Sequence, residues 1–163
     1  MKILANDGLS KAGVERLEKA GHTVITDTVA QEDLAKYIND NDVVALVVRS
    51  ATKVRKDVID ACPGLRVIAR AGVGMDNIDV EYARSLGRTV VNTPNASSVS
   101  VAELALGHMI SVARSLNCAN QQMPLEGETR FAELKKRYSK GRELAGKTLG
   151  IIGFGRIGQR LAM

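Results

Sequence analysis

The sequence predicts an α/β protein: a doubly wound parallel sheet with helices on both faces, followed by the opening of a second α/β unit. Three observations predict it. From residue 2 to residue 91, short β-rich apolar runs alternate with segments whose apolar residues recur at helical spacing. Gly, Pro, Asn or Asp punctuates most of the junctions. Near residue 155 a glycine-rich turn lies between one more apolar run and the start of a helix. Strand–helix alternation means parallel strands joined by crossover helices, which cover both sheet faces.

The elements follow in order. Lys2 to Ala5 is a strand ending at the turn Asn6-Asp7-Gly8. Ser10 is placed to cap a helix carrying Val14, Leu17 and Ala20 on one face and stopped by Gly21. Thr23 to Ile25 is a second strand, and Gln31 to Asn39 a weaker helix with Leu34, Tyr37 and Ile38 as its apolar side. Val43 to Val48, apolar throughout, reads as a central strand buried on both faces. A short helix from Lys56 to Cys62 closes at Pro63-Gly64, and Leu65 to Ala69 is the next strand. Asp79 is placed to cap a helix from Val80 to Leu86, and Thr89 to Val91 is the last strand before Pro94. These five strands complete a small flavodoxin-like domain over residues 1–94, with its boundary at Pro94-Asn-Ala-Ser-Ser.

Residues 95–163 open differently. Ser100-Val-Ala-Glu103 has capping-box spacing, and the helix from there to about Leu116 is apolar nearly all round, which predicts burial between bodies. His108 lies in that helix and reads as a packing histidine; His22, at the start of a strand, has no chemistry near it. From Asn117 to Ala145 the pattern loosens at Met123-Pro124 and Glu126-Gly127, and Phe131, Leu134 and Tyr138 are helically spaced. Lys135, Lys136, Arg137, Lys140 and Arg142 form a basic cluster there. It serves equally as a solvated face or as a positive patch for an anionic substrate.

Thr148 to Ile152 then reads as a strand buried on both faces, and Arg156 onward as a helix. Between them Gly153, Gly155 and Gly158 stand in G-x-G-x-x-G spacing. A strand, a tight turn and a helix N-terminus aim unpaired N–H groups and the positive end of a helix dipole at an anion. In a dinucleotide site the first glycine makes the turn, the second admits the pyrophosphate and the third lets helix pack on strand. An ordinary βα turn packed on glycine is the alternative. The acidic residue that reads the ribose 2′-hydroxyl is expected about 20 residues past the glycines, beyond Met163. The sequence is therefore expected to be part of a longer protein, cut inside the first helix of a Rossmann unit.

Composition narrows the class. The 163 residues are 45% hydrophobic and 25% charged, ordinary for a soluble globular protein. With 3% aromatic residues and no Trp there is little for a base-stacking nucleic-acid platform, so neither nucleic acid nor membrane is expected as a partner. Cys62 and Cys118 are far apart and match no metal spacing, so reduced thiols and a cytoplasmic setting are expected. No metal site is expected, and no signal peptide or 18-residue apolar run is visible.

Two stretches of the first domain hold chemistry. Val48-Arg49-Ser50-Ala51-Thr52 and Arg70-Ala71-Gly72-Val73-Gly74 each lie past the carboxyl end of a strand, where open α/β sheets bind ligands. An Arg offers a planar fork to carboxylate or phosphate, and glycines leave backbone N–H groups unshielded. A pair of tight turns with a surface Arg is the plain alternative.

Taken in order, Val48–Val54, Ala69-Arg-Ala-Gly-Val-Gly-Met-Asp-Asn-Ile-Asp79, Val91-Asn-Thr-Pro-Asn95, Ser100–Glu103 and Leu144–Gly158 resemble the D-2-hydroxyacid dehydrogenases, most closely their phosphoglycerate dehydrogenase branch. The resemblance covers essentially the whole chain. It implies a substrate-binding domain over residues 1–94 and the beginning of a nucleotide-binding domain over 95–163, with the Asn117–Arg142 region in a dimer arm. It implies that Arg49 and Ser50 meet the substrate and that the backbone of Ala71, Gly72, Val73 and Gly74 holds its carboxylate. Val73 also falls where the family touches the nicotinamide end of the cofactor, NAD. Gly153, Gly155, Arg156, Ile157 and Gly158 would hold the pyrophosphate, and Lys136 would reach a phosphorylated 2-hydroxy or 2-oxo acid on a neighbouring subunit of a homodimer or higher homo-oligomer. The family's catalytic Arg, Glu and His lie later in its sequence, so no catalytic residue is assigned here and this chain alone is expected to be inactive. The activity implied is hydride transfer between 3-phosphoglycerate and 3-phosphohydroxypyruvate, in serine biosynthesis. A glyoxylate or hydroxypyruvate reductase is the near alternative, and a non-catalytic binding or dimerisation module the distant one.

Overall fold

A computed structural model describes residues 1–163. The chain forms two compact units, Met1–Ala96 and Ser97–Met163.

The first unit is a five-stranded, all-parallel sheet in the order β2-β1-β3-β4-β5, the flavodoxin-like order. Its strands are β1 Lys2–Ala5, β2 Thr23–Ile25, β3 Val43–Val48, β4 Val67–Arg70 and β5 Thr89–Asn92. The crossover helices are α1 Lys11–Lys19, α2 Leu34–Asp40, α3 Lys56–Ala61 and α4 Val80–Ser85. The chain steps one way from β1 to β2 and the other way thereafter. Right-handed crossovers therefore put α1 on one face and α2, α3 and α4 on the other. The core follows that division. Leu4, Leu46, Val48, Ile68 and Val90 on the strands cluster with Leu34, Ile38, Val58, Ile59 and Ala83 from the three helices and with Cys62 just past α3. No residue of α1 is buried.

Local chemistry sets the helix ends. The Ser10 hydroxyl accepts the Gly13 N–H at 3.2 Å, capping α1 as expected. At its other end Gly21, at φ +81°, lets Gly21 N–H reach Glu18 O at 2.9 Å and His22 N–H reach Leu17 O at 3.1 Å, a Schellman closure. Asp79 departs from expectation: it precedes α4 but makes no side-chain cap to it. Its carboxylate instead accepts Lys56 N–H at 3.0 Å, at the start of α3, and pairs with Arg55 Nη1 at 3.0 Å.

The second unit is helical, with α5 Ser98–Arg114, α6 Leu116–Tyr138 and the short α7 Arg156–Leu161. Several expectations are corrected here. Helix α5 begins two residues before Ser100, so no capping box forms; Ser97 occupies the cap and makes no side-chain bond. Nor is α5 buried on most sides. Helices α6 and α7 pack against it, which covers one stripe and leaves Leu104 59% and Val112 82% exposed. His108 is exposed with them and is not buried within this chain. The loosened stretch is helical beyond the expected Phe131, Leu134 and Tyr138: α6 carries Pro124 within it and breaks at Arg130 (φ −125°, ψ 26°). Tyr138 donates to Gln122, sixteen residues earlier. Those residues would lie about 24 Å apart in a straight helix, so the chain doubles back at the break. Finally, Thr148–Ile152 is not a strand. A strand needs a ladder partner, and this unit holds no other extended segment to supply one. No single helix is long and apolar enough to cross a membrane.

Candidate functional site

Parallel pairing brings the carboxyl ends of β1, β3, β4 and β5 to one edge of the first unit. Four segments converge there: Asn6-Asp7, Arg49–Thr52, Arg70–Gly74 and Asn92-Thr93. They are bound into one frame by side-chain amides and a carboxylate. The Asp7 carboxylate accepts Arg49 N–H at 2.6 Å, Thr52 N–H at 3.2 Å from both oxygens, and the Thr52 hydroxyl. Asn6 Nδ2 donates to the same hydroxyl at 2.8 Å. On the other flank, buried Asn77 donates to Arg49 O at 3.0 Å and Thr52 O at 2.7 Å. Burial raises the Asp7 pKa, but bonds from the Thr52 hydroxyl and the neighbouring N–H groups outweigh it and hold the carboxyl below its usual value.

This frame decides which predicted groups are free to bind. Arg49 and Ser50 are exposed at the edge, as a ligand-binding pair needs. The four N–H groups from Ala71 to Gly74 are not equivalent. Ala71 N–H donates to Val48 O and Gly72 N–H to Arg70 O, each at 2.9 Å. The Gly72 and Val73 carbonyls are drawn back by Thr93 N–H at 3.0 Å and Asn92 Nδ2 at 2.7 Å. Only the Val73 and Gly74 N–H groups have no acceptor within the chain; both residues are exposed.

Sequence reasoning placed Arg70 in a stretch with chemistry but gave it no role of its own, and it missed Asp7 and Asn77. The Arg70 guanidinium is held by Asn77 Oδ1 at 3.3 Å and Ala71 O at 3.1 Å. It lies so close over Gly72 that a Cβ there would sit 1.9 Å from Nη1. Two guanidinium groups and two free N–H groups thus line one edge, and that set suits a small organic acid. Arg70 was discoverable as the last residue of a strand that ends at this edge. Asp7 and Asn77 gave no signal, because nothing local says which strands become neighbours.

In the second unit the glycine turn is built from its three glycines in three ways. Gly153 sits at φ +93°, a conformation only glycine adopts without strain. Gly158 is buried, and a Cβ there would meet Gly153 O at 2.5 Å. Gly155, the N-cap of α7, has φ −77° and open space where a Cβ would be. The fold needs the first and third; nothing within the chain requires the second. Arg156 and Ile157 follow it on the exposed first turn of α7. Lys136 is exposed on the last turn of α6 with Lys135 and Arg137, where cations also complement the helix carbonyl end.

A family model described as D-isomer specific 2-hydroxyacid dehydrogenase, catalytic domain, matches residues 3–153. The chain belongs to that family. Among its relatives, the D-3-phosphoglycerate dehydrogenase of Methanocaldococcus jannaschii is 47% identical over 161 residues, covering 99% of this chain and 29% of the relative. The hydroxypyruvate reductase of Thermotoga maritima is 46% identical over 162 residues, covering 99% and 50%. Among solved structures, the NAD+-bound 3-phosphoglycerate dehydrogenase of Entamoeba histolytica matches with TM-score 0.71 at 35% identity, covering 99% of this chain and 49% of that one. The NAD-dependent formate dehydrogenase of Staphylococcus aureus, in complex with NAD, matches with TM-score 0.73 at 29% identity over 99% and 52%. The chain spans half or less of the length of these two curated relatives.

Proposed function

We propose that this chain is the N-terminal part of an NAD-dependent D-3-phosphoglycerate dehydrogenase, residues 1–94 binding the acid and residues 95–163 beginning the nucleotide-binding domain. Gly155 carries the cofactor half of the reading. It is a glycine that neither backbone conformation nor packing demands, between two that are demanded, and close approach of a pyrophosphate supplies the missing reason. Gly153, Arg156, Ile157 and Gly158 complete that cradle, and NAD, when bound, supplies the hydride chemistry. On the acid side, Arg49, Ser50, Arg70 and the free N–H groups of Val73 and Gly74 hold the substrate carboxylate. Val73 also faces the nicotinamide end. Lys136 of a neighbouring subunit meets the phosphate in a homodimer or higher homo-oligomer, and proton transfer falls to residues beyond Met163, so residues 1–163 alone are inactive.

The test is steady-state kinetics on the full-length gene product. NADH-dependent reduction of 3-phosphohydroxypyruvate is expected, with Lys136→Ala raising KM for that substrate and leaving plain hydroxypyruvate unaffected. The 46% identity to a hydroxypyruvate reductase supports the second reading. Equal turnover of both substrates, indifferent to Lys136→Ala, decides for it. Turnover by residues 1–163 alone refutes the assignment of inactivity, and absence of NAD binding by the full-length protein refutes the dehydrogenase reading altogether.

A further inference from the structure

We propose that Asp7 is a positioning residue for the acid-binding turn: its carboxylate clamps Arg49–Thr52 from the β1 side and aims Arg49 and Ser50 at the substrate. The inference rests on the reading of this sheet edge as the acid site. Strands β1 and β3 are neighbours across the point where the crossover direction reverses, the place at which open α/β sheets leave a crevice for ligands. In this protein Asp7 spans that crevice. Three donors converge on its two oxygens: Arg49 N–H at 2.6 Å, Thr52 N–H at 3.2 Å and the Thr52 hydroxyl. From the opposite side Asn77 takes the carbonyls of the same two residues at 3.0 and 2.7 Å. The turn is thus pinned at both ends by side chains from other elements, while Ser50 and Ala51 between the pins stay exposed. Pinning the peptide removes backbone freedom that a flexible Arg would otherwise lose on binding.

The chemistry requires a carboxylate. All the groups facing Asp7 are donors, so an amide would offer one acceptor and turn its NH2 against the N–H groups. With its oxygens engaged by these donors, Asp7 is also directed inward, which limits its repulsion of an anionic substrate.

Kinetics of the full-length dehydrogenase with 3-phosphoglycerate and NAD test this. Asp7→Asn is expected to raise KM for the acid roughly ten-fold, with kcat and KM for NAD changed less than about two-fold. In an Arg49→Ala background the same substitution should add much less, because Asp7 then acts only through Ser50. Thr52→Val, which keeps both main-chain bonds to Asp7, should raise the acid KM about two- to three-fold and serves should Asp7→Asn fail to fold. An unchanged acid KM, or effects of Asp7→Asn and Arg49→Ala that simply add, overturns the inference. If Arg49→Ala itself leaves the acid KM unchanged, the acid-site reading fails first and the inference falls with it.

Discussion

Asp7 is ionised at neutral pH, and its folded pKa lies below the ordinary 3.8. A depressed carboxylate contributes stability that is present above the unfolded pKa and lost as pH falls through the folded one. The stability gap between wild type and Asp7→Asn, from urea titrations, should therefore be full at pH 7 and shrink below about pH 4. A gap of equal size at pH 7 and pH 3 contradicts the hydrogen-bonded carboxylate described above. The glycines make a second residue-scale prediction. Gly158→Ala drives a Cβ against Gly153 O, a backbone atom that cannot move aside cheaply, and should cost about 1–3 kcal/mol. Gly155→Ala meets nothing within the chain, so the fold should hold while NAD affinity of the full-length protein falls at least about ten-fold by calorimetry. Unaltered NAD affinity in Gly155→Ala would remove the reason given for that glycine.

At the scale of elements, short helices depend on their ends. Helix α3 spans only Lys56–Ala61 and receives its N-terminal acceptor from Asp79, which the chain places just ahead of α4. Asp79→Ala should cost about 1–2 kcal/mol in chemical denaturation, and Ser10→Ala about 1 kcal/mol. Asp79→Asn, which keeps an oxygen for Lys56 N–H but drops the Arg55 pair, should fall between wild type and Asp79→Ala. A neutral Asp79→Ala would mean that α3 is held by packing of Val58 and Ile59 alone. Helix α6 shows the reverse case: Met123-Pro124 and Glu126-Gly127 read as breaks, yet two halves form around Arg130, which pairs with Glu126 and Glu133 on either side of the break. Pro124 lacks an N–H, but the helix continues through it, so local propensity was overridden by tertiary contacts such as Tyr138 to Gln122.

For the whole molecule, the two units differ in what holds them. The first has a sheet whose inner strands β1, β3 and β4 are paired on both sides, so amides of Leu4, Leu46 and Ile68 should exchange slowest with solvent. Residues 148–152 lack a ladder and Ile152 is fully exposed, so their amides should exchange orders of magnitude faster than those of β3. Comparable protection would show a pairing that the structure does not contain. The sequence by itself determined the strand–helix alternation, the exposed turns around Arg49 and Gly72–Gly74 past the carboxyl ends of strands, and the glycine turn, because periodicity, turn chemistry and motif spacing are local properties of a chain. Only the tertiary structure decided that Asp7 meets Arg49, that Asp79 serves α3, that α6 folds back, and that the N–H groups of Val73 and Gly74 remain free. Each of these depends on which strands and helices become neighbours, and neighbours are chosen by packing across the sheet rather than by any segment alone.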